Sequence, residues 1–381
     1  MLDTALDVFR MRQYFDMAVR GRQLLGEVRR DAAFVDLVRR SLLPLPVDRR
    51  SPVDPRPFPP LRHRSLPGLG GRKVAVVATG GSGALASVVG IGRALEEVGV
   101  RPDSITVCSG SALFGFPLAA GVPADEVAAF TIGLGPGDYS DLDWGRLLRI
   151  LPTAGRGFAG LIRGERLERS YKRLLGDMTL GELPVACYAP IWNVEENRIE
   201  YIGPATYPEM TVAHAVRMAV ALPLFFDPVA LDGGSWCDGG IVDIFPVHPV
   251  LDIVEGPSPD VVLAVNGFYP PGFAGERVEG WRARPFSILE VASQVRTSQQ
   301  AQLARENLAR LQAATRVELL EPVPYEVVMG AGFYRQFLDH GDWPQFMASG
   351  RRAALAALRR VAGSWAATDG RRHRPLVASR S

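Results

Sequence analysis

The sequence predicts an α/β fold with an open, mostly parallel central sheet flanked by helices. Two short apolar runs support this prediction, Val74–Ala78 and residues 105–107, and neither has a helical period. Each run leads through a turn rich in glycine or serine into an apolar helical stretch. This repeated order of strand, turn and helix is typical of open α/β sheets, whose sites lie at the carboxyl ends of the strands. We therefore expect buried parallel strands with a site at that edge.

The chain of 381 residues divides into five predicted regions. Residues 1–43 are predicted to form a helical arm, because apolar residues recur there at helical spacing with arginine and aspartate between them. Residues 44–71 are a connector rich in proline and arginine that cannot hold a regular helix. Residues 72–255 are predicted to form the α/β core, and residues 256–363 to complete the same domain. Residues 364–381 are predicted to be a disordered tail.

Further elements follow within these regions. Residues 184–193 and 198–202 are predicted to be strands, and residues 211–221 a helix. Residues 230–237 are predicted to form a hairpin around Asp232-Gly233-Gly234. Residues 287–314 and 343–362 are predicted to be long helices, the second of which ends at Gly363.

Composition narrows the function classes. With 47% hydrophobic and 22% charged residues, the chain is expected to be globular with a large core. The net charge of +2 is too small to indicate nucleic-acid binding. No apolar run approaches the roughly 18 residues that cross a bilayer, and the N-terminus does not resemble a secretory signal. Cys108, Cys187 and Cys237 are too scattered for a disulfide framework or a zinc site, which favours a cytoplasmic protein.

The basic N-terminal arm leaves three interpretations open. It clasps the core, pairs with a second subunit in a homo-oligomer, or lies on an anionic membrane surface as a peripheral contact. Its apolar stripe is modest and acidic residues are interspersed, so packing on protein is the favoured interpretation.

A glycine-rich turn follows the first predicted strand, with the sequence Thr79-Gly80-Gly81-Ser82-Gly83. Backbone N–H groups at such a strand-to-helix turn bind negative charge, whether a phosphate or a transient oxyanion. The turn also fits a loose dinucleotide-binding pattern, but the next strand lacks the acidic residue that would hold a ribose. The turn is therefore interpreted either as an anion hole or as a plain tight turn, and both interpretations are favoured over a cofactor site.

Ser109 follows the second predicted strand. A serine at a sharp strand-to-helix turn projects its hydroxyl beside the helix N-terminus, where an oxyanion is stabilised. Val107 lies two residues before Ser109 and Ser111 lies two residues after it, and glycine is usual at both positions of this bend. Capping a helix is the commoner role for such a serine. Ser111 is the competing nucleophile, but its flanking residues fit the bend less well.

A third motif, Asp238-Gly239-Gly240, follows a later short strand. A carboxylate beside two glycines can approach another loop closely and accept a serine proton. The same three residue types occur from Asp232 onward as a hairpin turn, so the motif by itself is also an ordinary turn signal.

Taken in this order, the three motifs resemble the patatin-like phospholipases, with a glycine-rich turn, a serine elbow and an aspartate before two glycines. No histidine is placed to serve as the base. Residues 90–99, 215–223 and 226–229 extend the resemblance, which covers about residues 72–255. It implies a three-layer αβα fold and a catalytic Ser–Asp dyad.

This resemblance assigns Ser109 as nucleophile and Asp238 as base. It assigns the oxyanion hole to Gly80, Gly81, Ser82 and Gly83. The chain departs from the family pattern at three positions that bear on catalytic efficiency. Ala84 replaces the arginine of the oxyanion turn, and Val107 and Ser111 replace the two glycines of the elbow.

The activity that the resemblance implies is lipid acyl hydrolysis through an acyl-enzyme, as in an esterase or phospholipase A, with no metal or organic cofactor. A carboxylate is a weak base near neutral pH unless burial raises its pKa, so we expect an apolar pocket around Asp238. Four aromatic residues are candidates for this pocket and for contact with an acyl chain, although plain core packing is the commoner role: Phe114, Phe116, Phe225 and Phe226.

Two other functions stay open. An acyltransferase would pass the acyl group to an alcohol instead of water, and an inactive patatin-like scaffold would bind lipid or a protein partner. His248 is a less favoured third member of a triad with Ser109 and Asp238. The expected partner is a lipid or another acyl ester whose head group and chain length the sequence leaves undetermined, and no nucleic acid is expected.

Overall fold

Ten strands and nine α-helices are present in the part of the chain that the computed structural model describes, residues 57–139, 141, 160–275, 277–283, 287–328, 333, 336 and 339–372. The predicted N-terminal arm and the first part of the connector lie outside these residues. The strands are β1 (Val74–Ala78), β2 (Ser104–Thr106), β3 (Gly160–Ile162), β4 (Ala186–Asn193), β5 (Arg198–Ile202), β6 (Leu224–Phe226), β7 (Val229–Leu231), β8 (Gly234–Asp238), β9 (Val261–Val265) and β10 (Arg316–Leu320). The helices are α1 (Ser87–Val98), α2 (Ala112–Ala119), α3 (Ala124–Gly133), α4 (Pro136–Tyr139), α5 (Glu165–Leu175), α6 (Val212–Ala219), α7 (Ser287–Ala314), α8 (Tyr325–Val328) and α9 (Trp343–Arg372).

A mixed eight-stranded sheet forms the centre of the fold. Its order is β10-β9-β1-β2-β4-β8-β7, and β5 pairs with β4. The strands from β10 to β4 are parallel, whereas β5 and β8 pair with β4 in antiparallel orientation. Strands β3 and β6 form a separate two-stranded parallel sheet. The predicted open, mostly parallel sheet is confirmed.

Both faces of the sheet are covered, as the continuous apolar sequence of its strands requires. Every residue of β1 is buried, but alternate residues belong to different cores because side chains alternate across a strand. Val74 and Val76 pack in the larger core with α1 and α9, whereas Ala75 and Val77 pack in the smaller core with α7. The three-layer αβα arrangement follows from this alternation.

The helices of the larger layer approach each other closely. A Cβ atom at Gly90 of α1 would overlap the carbonyl oxygen of Met347 in α9, and one at Gly350 would overlap that of Ser87. Glycine at these two crossing points therefore lets the two backbones touch, and α9 can cover α1 without a gap.

Helix α9 continues past the predicted end at Gly363 to Arg372, so the prediction of a disordered tail was wrong for residues 364–372. One glycine costs a helix only about 1 kcal/mol, which tertiary contacts offset here. The guanidinium groups of Arg72 and Arg316 lie over the indole ring of Trp365. No helix within the described residues is long and apolar enough to cross a membrane.

Candidate active site

The second predicted turn forms a strained elbow with Ser109 at its tip. Ser109 has a φ angle of 51°, in the left-handed region that side chains other than glycine rarely adopt. Such a conformation costs on the order of 1–3 kcal/mol and is typical of functional sites. Its neighbours Cys108 and Gly110 are buried, whereas Ser109 is partly exposed. The strain therefore presents this one hydroxyl at the end of β2.

The elbow forms although glycine is absent from both of its flanking positions. Val107 is fully buried, and a Cβ atom at Gly115 would overlap its Cγ1 atom. The space that an elbow glycine usually leaves is therefore supplied by Gly115 in α2. The hydroxyl of Ser111 accepts the N–H of Cys108 and donates to its carbonyl oxygen, both at 2.8 Å. Ser111 is thus a buried cap, which leaves Ser109 as the accessible serine.

Asp238 lies at the end of β8, and its carboxylate is completely buried. Oδ1 accepts the N–H of Gly240 at 2.8 Å, whereas Oδ2 has no hydrogen-bond partner in the described part of the chain. Burial raises the pKa of Asp238 from 3.8 to about 7, and the Ser109 hydroxyl and the Gly240 N–H act in the opposite direction. The Ser109 hydroxyl is thus close enough to act on the carboxylate, but no hydrogen bond of normal length joins them. Catalytic hydrogen bonds often tighten only when substrate binds.

Glycines allow the three turns to meet. A Cβ atom at Gly80 would lie 3.2 Å from the Cβ atom of Ser109 and 3.1 Å from the Cys108 sulfur. One at Gly240 would lie 2.7 Å from the same sulfur and 3.5 Å from the Ser109 Cβ atom. The glycine-rich turn and the aspartate turn therefore both contact the elbow at Cys108 and Ser109, so the three predicted turns lie together.

The glycine-rich turn contributes buried backbone donors. The N–H of Gly80 donates to the carbonyl oxygen of Ile244 at 2.9 Å, so it is not free to hold an oxyanion as predicted. Gly80 instead provides the close approach to the elbow. The N–H groups of Gly81, Ser82 and Gly83 are buried and find no acceptor among the described residues. Buried N–H groups without a partner are rare, and beside a nucleophile they suit a transient anion.

Gly110 is a candidate donor that the sequence reasoning missed. It follows the predicted nucleophile Ser109, and the N–H at that position usually completes an oxyanion hole at a serine elbow. Its own N–H finds no acceptor in the described ranges. A Cβ atom at Gly110 would overlap the carbonyl oxygen of Gly81, so the elbow and the glycine-rich turn are in direct contact. The position next to Ser109 in the sequence was the available signal.

Comparison with known proteins identifies a family for part of the chain. Residues 76–251 match the family model of the patatin-like phospholipases. This region is a patatin-like phospholipase domain. It resembles the lysophospholipase NTE1 of Cryptococcus neoformans, with 25% identity over 236 residues, which are 60% of this chain and 14% of the fungal protein. An uncharacterized NTE family protein of Mycobacterium bovis is 26% identical over 197 residues, which are 51% of this chain and 49% of that protein.

Among solved structures, VipD from Legionella pneumophila aligns with a TM-score of 0.40 at 16% identity. The alignment covers 77% of this chain and 67% of VipD. The aligned regions of the two NTE relatives are at most about half of those proteins, so their names describe proteins that extend beyond the patatin-like domain.

The predicted aromatic residues do not come together in the patatin-like domain. Phe114 and Phe116 are completely buried in the core, and Phe114 packs edge-on against Trp343 with ring centroids 5.3 Å apart. These two rings have the core-packing role. Phe225 is 40% exposed on β6, beside Phe226. Only the β6 pair therefore stays a candidate for contact with an acyl chain.

A cavity of about 620 Å³ lies next to the aspartate turn of the patatin-like domain, but neither Ser109 nor Asp238 lines it. His248 does line it, and Nδ1 of His248 lies 2.6 Å from Asp252. The ring of His248 packs against Tyr201. These contacts place His248 at the cavity, and they do not support a triad of His248 with Ser109 and Asp238. In the part of the chain that the structure describes, no group of three or more histidine, cysteine, aspartate or glutamate side chains is placed to hold a metal ion.

Proposed function

We propose that the patatin-like domain hydrolyses carboxylic esters of lipids, with Ser109 as nucleophile and Asp238 as general base. The observation that carries the proposal is a wholly buried carboxylate beside a strained, partly exposed serine. Backbone N–H groups that have no acceptor among the described residues belong to the glycine-rich turn, in the segment 81–83, and to Gly110 of the elbow. This combination matches the needs of acyl transfer, in which a proton leaves the nucleophile as negative charge develops on a carbonyl oxygen.

In the first half-reaction, the Ser109 oxygen attacks the ester carbonyl carbon and its proton passes to Asp238. The electron pair of the carbonyl bond moves to the oxygen, where the free N–H groups stabilise the negative charge. Removing one such donor typically lowers the rate about 100-fold to 1000-fold. Collapse of this intermediate breaks the ester bond, and the leaving alcohol takes the proton from Asp238. With a pKa of about 7, Asp238 is suited to both transfers near neutral pH.

In the second half-reaction, water attacks the acyl-enzyme and gives its proton to Asp238. The Ser109 oxygen leaves, recovers that proton, and the free acid is released. An alcohol in place of water would give a new ester, which is the acyltransferase alternative. The family and the name of its fungal lysophospholipase relative support lipid esters as the substrate class.

Active-site labelling tests the proposal. A fluorophosphonate probe should label wild-type protein and the Ser111→Ala control, but not Ser109→Ala or Asp238→Asn. Chromogenic esters of graded chain length should be hydrolysed with the same pattern. Absence of labelling in folded wild-type protein would favour the inactive scaffold, and labelling of Ser109→Ala would move the nucleophile elsewhere. Measuring free acid against new ester in the presence of glycerol separates the hydrolase from the acyltransferase.

A further inference from the structure

The turn that follows Asp238 is bound by a side chain of α7. Nε2 of Gln300 donates to the carbonyl oxygen of Ile241 at 2.8 Å and to that of Gly240 at 3.4 Å. Oε1 of Gln300 lies 3.5 Å from the hydroxyl of Tyr269. One side chain therefore fixes the backbone two and three residues beyond the proposed base.

A second side chain of α7 binds the same segment farther on. Nδ2 of Asn307 donates to the carbonyl oxygen of Phe245 at 2.9 Å and to Oδ1 of Asp243 at 3.0 Å. Gln300 and Asn307 are seven residues apart, which is close to two helical turns, so both lie on one face of α7. The buried residues on α7 that anchor this face to the core are Ala301, Ala304, Leu308 and Leu311.

Asp243 links this segment to the other two turns of the site. Its Oδ2 accepts the hydroxyl of Tyr201 at 2.7 Å, and its carbonyl oxygen accepts the thiol of Cys108 at 3.6 Å. The next carbonyl oxygen, of Ile244, accepts the N–H of Gly80 at 2.9 Å. A shift of this segment would therefore also shift the elbow and the glycine-rich turn.

The cavity of about 620 Å³ lies on the outer side of the segment. Val242, Asp243, Asn307 and Tyr201 are among the residues that line it. Val242 is 40% exposed, whereas Asp238 is completely buried. The hydrogen-bonded side chains of Asp243, Asn307 and Tyr201 thus line this cavity, whereas the buried carboxylate of Asp238 does not.

We propose that Gln300 and Asn307 are positioning residues that fix residues 239–245 from α7. They keep the carboxylate of Asp238 aimed at Ser109 and closed off from the cavity. The effect on catalysis rests on the proposed function, but the restraint on the segment is measurable without any catalysis.

The restraint also determines how Asp238 titrates. Four ionisable groups interact with Asp238 or Asp243: Cys108 of the elbow, Cys237 of β8, Tyr201 of β5 and His248 of the segment after β8. Arg310 of α7 interacts with Tyr201. Burial raises the pKa of Cys108, of Tyr201 and of Cys237, the last to about 12, so these three stay neutral near pH 7. If the segment loosens, water reaches Asp238 and its pKa falls toward the ordinary 3.8.

Two shape-preserving variants test the proposal, Gln300→Met and Asn307→Leu. Each keeps the approximate shape of the side chain and removes its donors. The matched control is Gln302→Met, because Gln302 is exposed on the same helix and, among the described residues, bonds only to its helix neighbours Glu306 and Arg305. We expect each test variant to lower kcat about 10-fold to 100-fold, since small misplacements of a catalytic group cost this much. KM should stay within about twofold, and the acid limb of kcat should move to lower pH by about one unit.

Wild-type kcat with an unmoved acid limb in both test variants would overturn the proposal. If one variant fails to fold, the other decides, because each removes a separate pair of hydrogen bonds donated to the segment. Hydrogen exchange gives the readout that needs no activity. The amides of Val242 and Asp243, which both donate to the carbonyl oxygen of Gly239 at 2.9 Å, should exchange faster in the test variants than in the control. If wild-type protein neither reacts with the fluorophosphonate probe nor hydrolyses esters, the proposed function fails. Equal hydrogen-exchange rates in the test variants and the control would separately overturn the proposed restraint.

Discussion

Replacing Asp238 by asparagine should abolish hydrolysis and yet stabilise the fold at alkaline pH. The raised pKa means that the folded state binds the Asp238 proton more tightly than the unfolded state does. This stabilisation is fully present below pH 4 and is lost as pH rises from about 4 through about 7. A rise in pKa from 3.8 to about 7 corresponds to a cost of about 4 kcal/mol for the ionised carboxylate.

The asparagine variant carries no charge and avoids this cost. It can keep the bond from the Gly240 N–H, but its amide group meets the same lack of partners as Oδ2 does, which costs about 1–3 kcal/mol. We therefore expect Asp238→Asn to be more stable than wild type by about 1–3 kcal/mol at pH 8. Integrated between pH 5 and pH 8, wild type should lose about 2–3 kcal/mol through this group that the variant retains.

Urea unfolding at pH 5, 6, 7 and 8 measures these differences. Asp232→Asn is the matched control, because Asp232 also precedes two glycines but lies exposed in the β7–β8 hairpin. Its free energy of unfolding should follow that of wild type at every pH. The burial argument fails if the difference between Asp238→Asn and wild type is the same at pH 5 and pH 8.

Three further outcomes are expected. Gly115→Ala should lower the free energy of unfolding by about 1–3 kcal/mol, because its methyl group overlaps Val107. Adding Val107→Ala to the same chain should restore part of this loss. If urea unfolding shows that the effects of the two substitutions on the free energy of unfolding simply add, the overlap argument is contradicted. Ser111→Ala should lose about 1 kcal/mol of stability with the cap but keep fluorophosphonate labelling of Ser109, and a folded variant that does not label would count against a purely structural role. The kcat/KM for an uncharged ester should fall about tenfold from pH 8 to pH 6, because only ionised Asp238 accepts the proton, and a flat pH profile over that range would exclude a base with a pKa of about 7.

Much of the core was predictable because its signals are local. The bounds of β1 and α7 agree with those predicted, since a short β-branched run and a long uninterrupted helical stretch each indicate their structure without tertiary information. The prediction failed after Gly363, where the stacking of two arginines on Trp365 extends α9. That contact joins distant parts of the chain, and no local pattern indicates it.

The candidate site divides in the same way. Ser109 and Asp238 stand in motifs with a characteristic order, and the structure brings their two turns together around Cys108. The roles of Gln300 and Asn307 were not predictable, because each binds a backbone about 60 residues away through a side chain common on any helix surface. That Gly80 gives its N–H to Ile244 was equally hidden, since it depends on where the aspartate turn lies in the fold.

The close packing of Val107 against Gly115 constrains how such an elbow can change during evolution. A side chain at both positions would overlap, whereas glycine at both would leave only a small cavity beside the nucleophile. Descent from an ancestor with the usual elbow glycine would therefore pass through a chain with two glycines, slightly less stable but still able to form the turn. Related sequences could keep either glycine, and a search for glycine two residues before the serine would recover only some of them. A pattern that accepts glycine at either position would describe the requirement of the fold, which is an empty volume behind the serine.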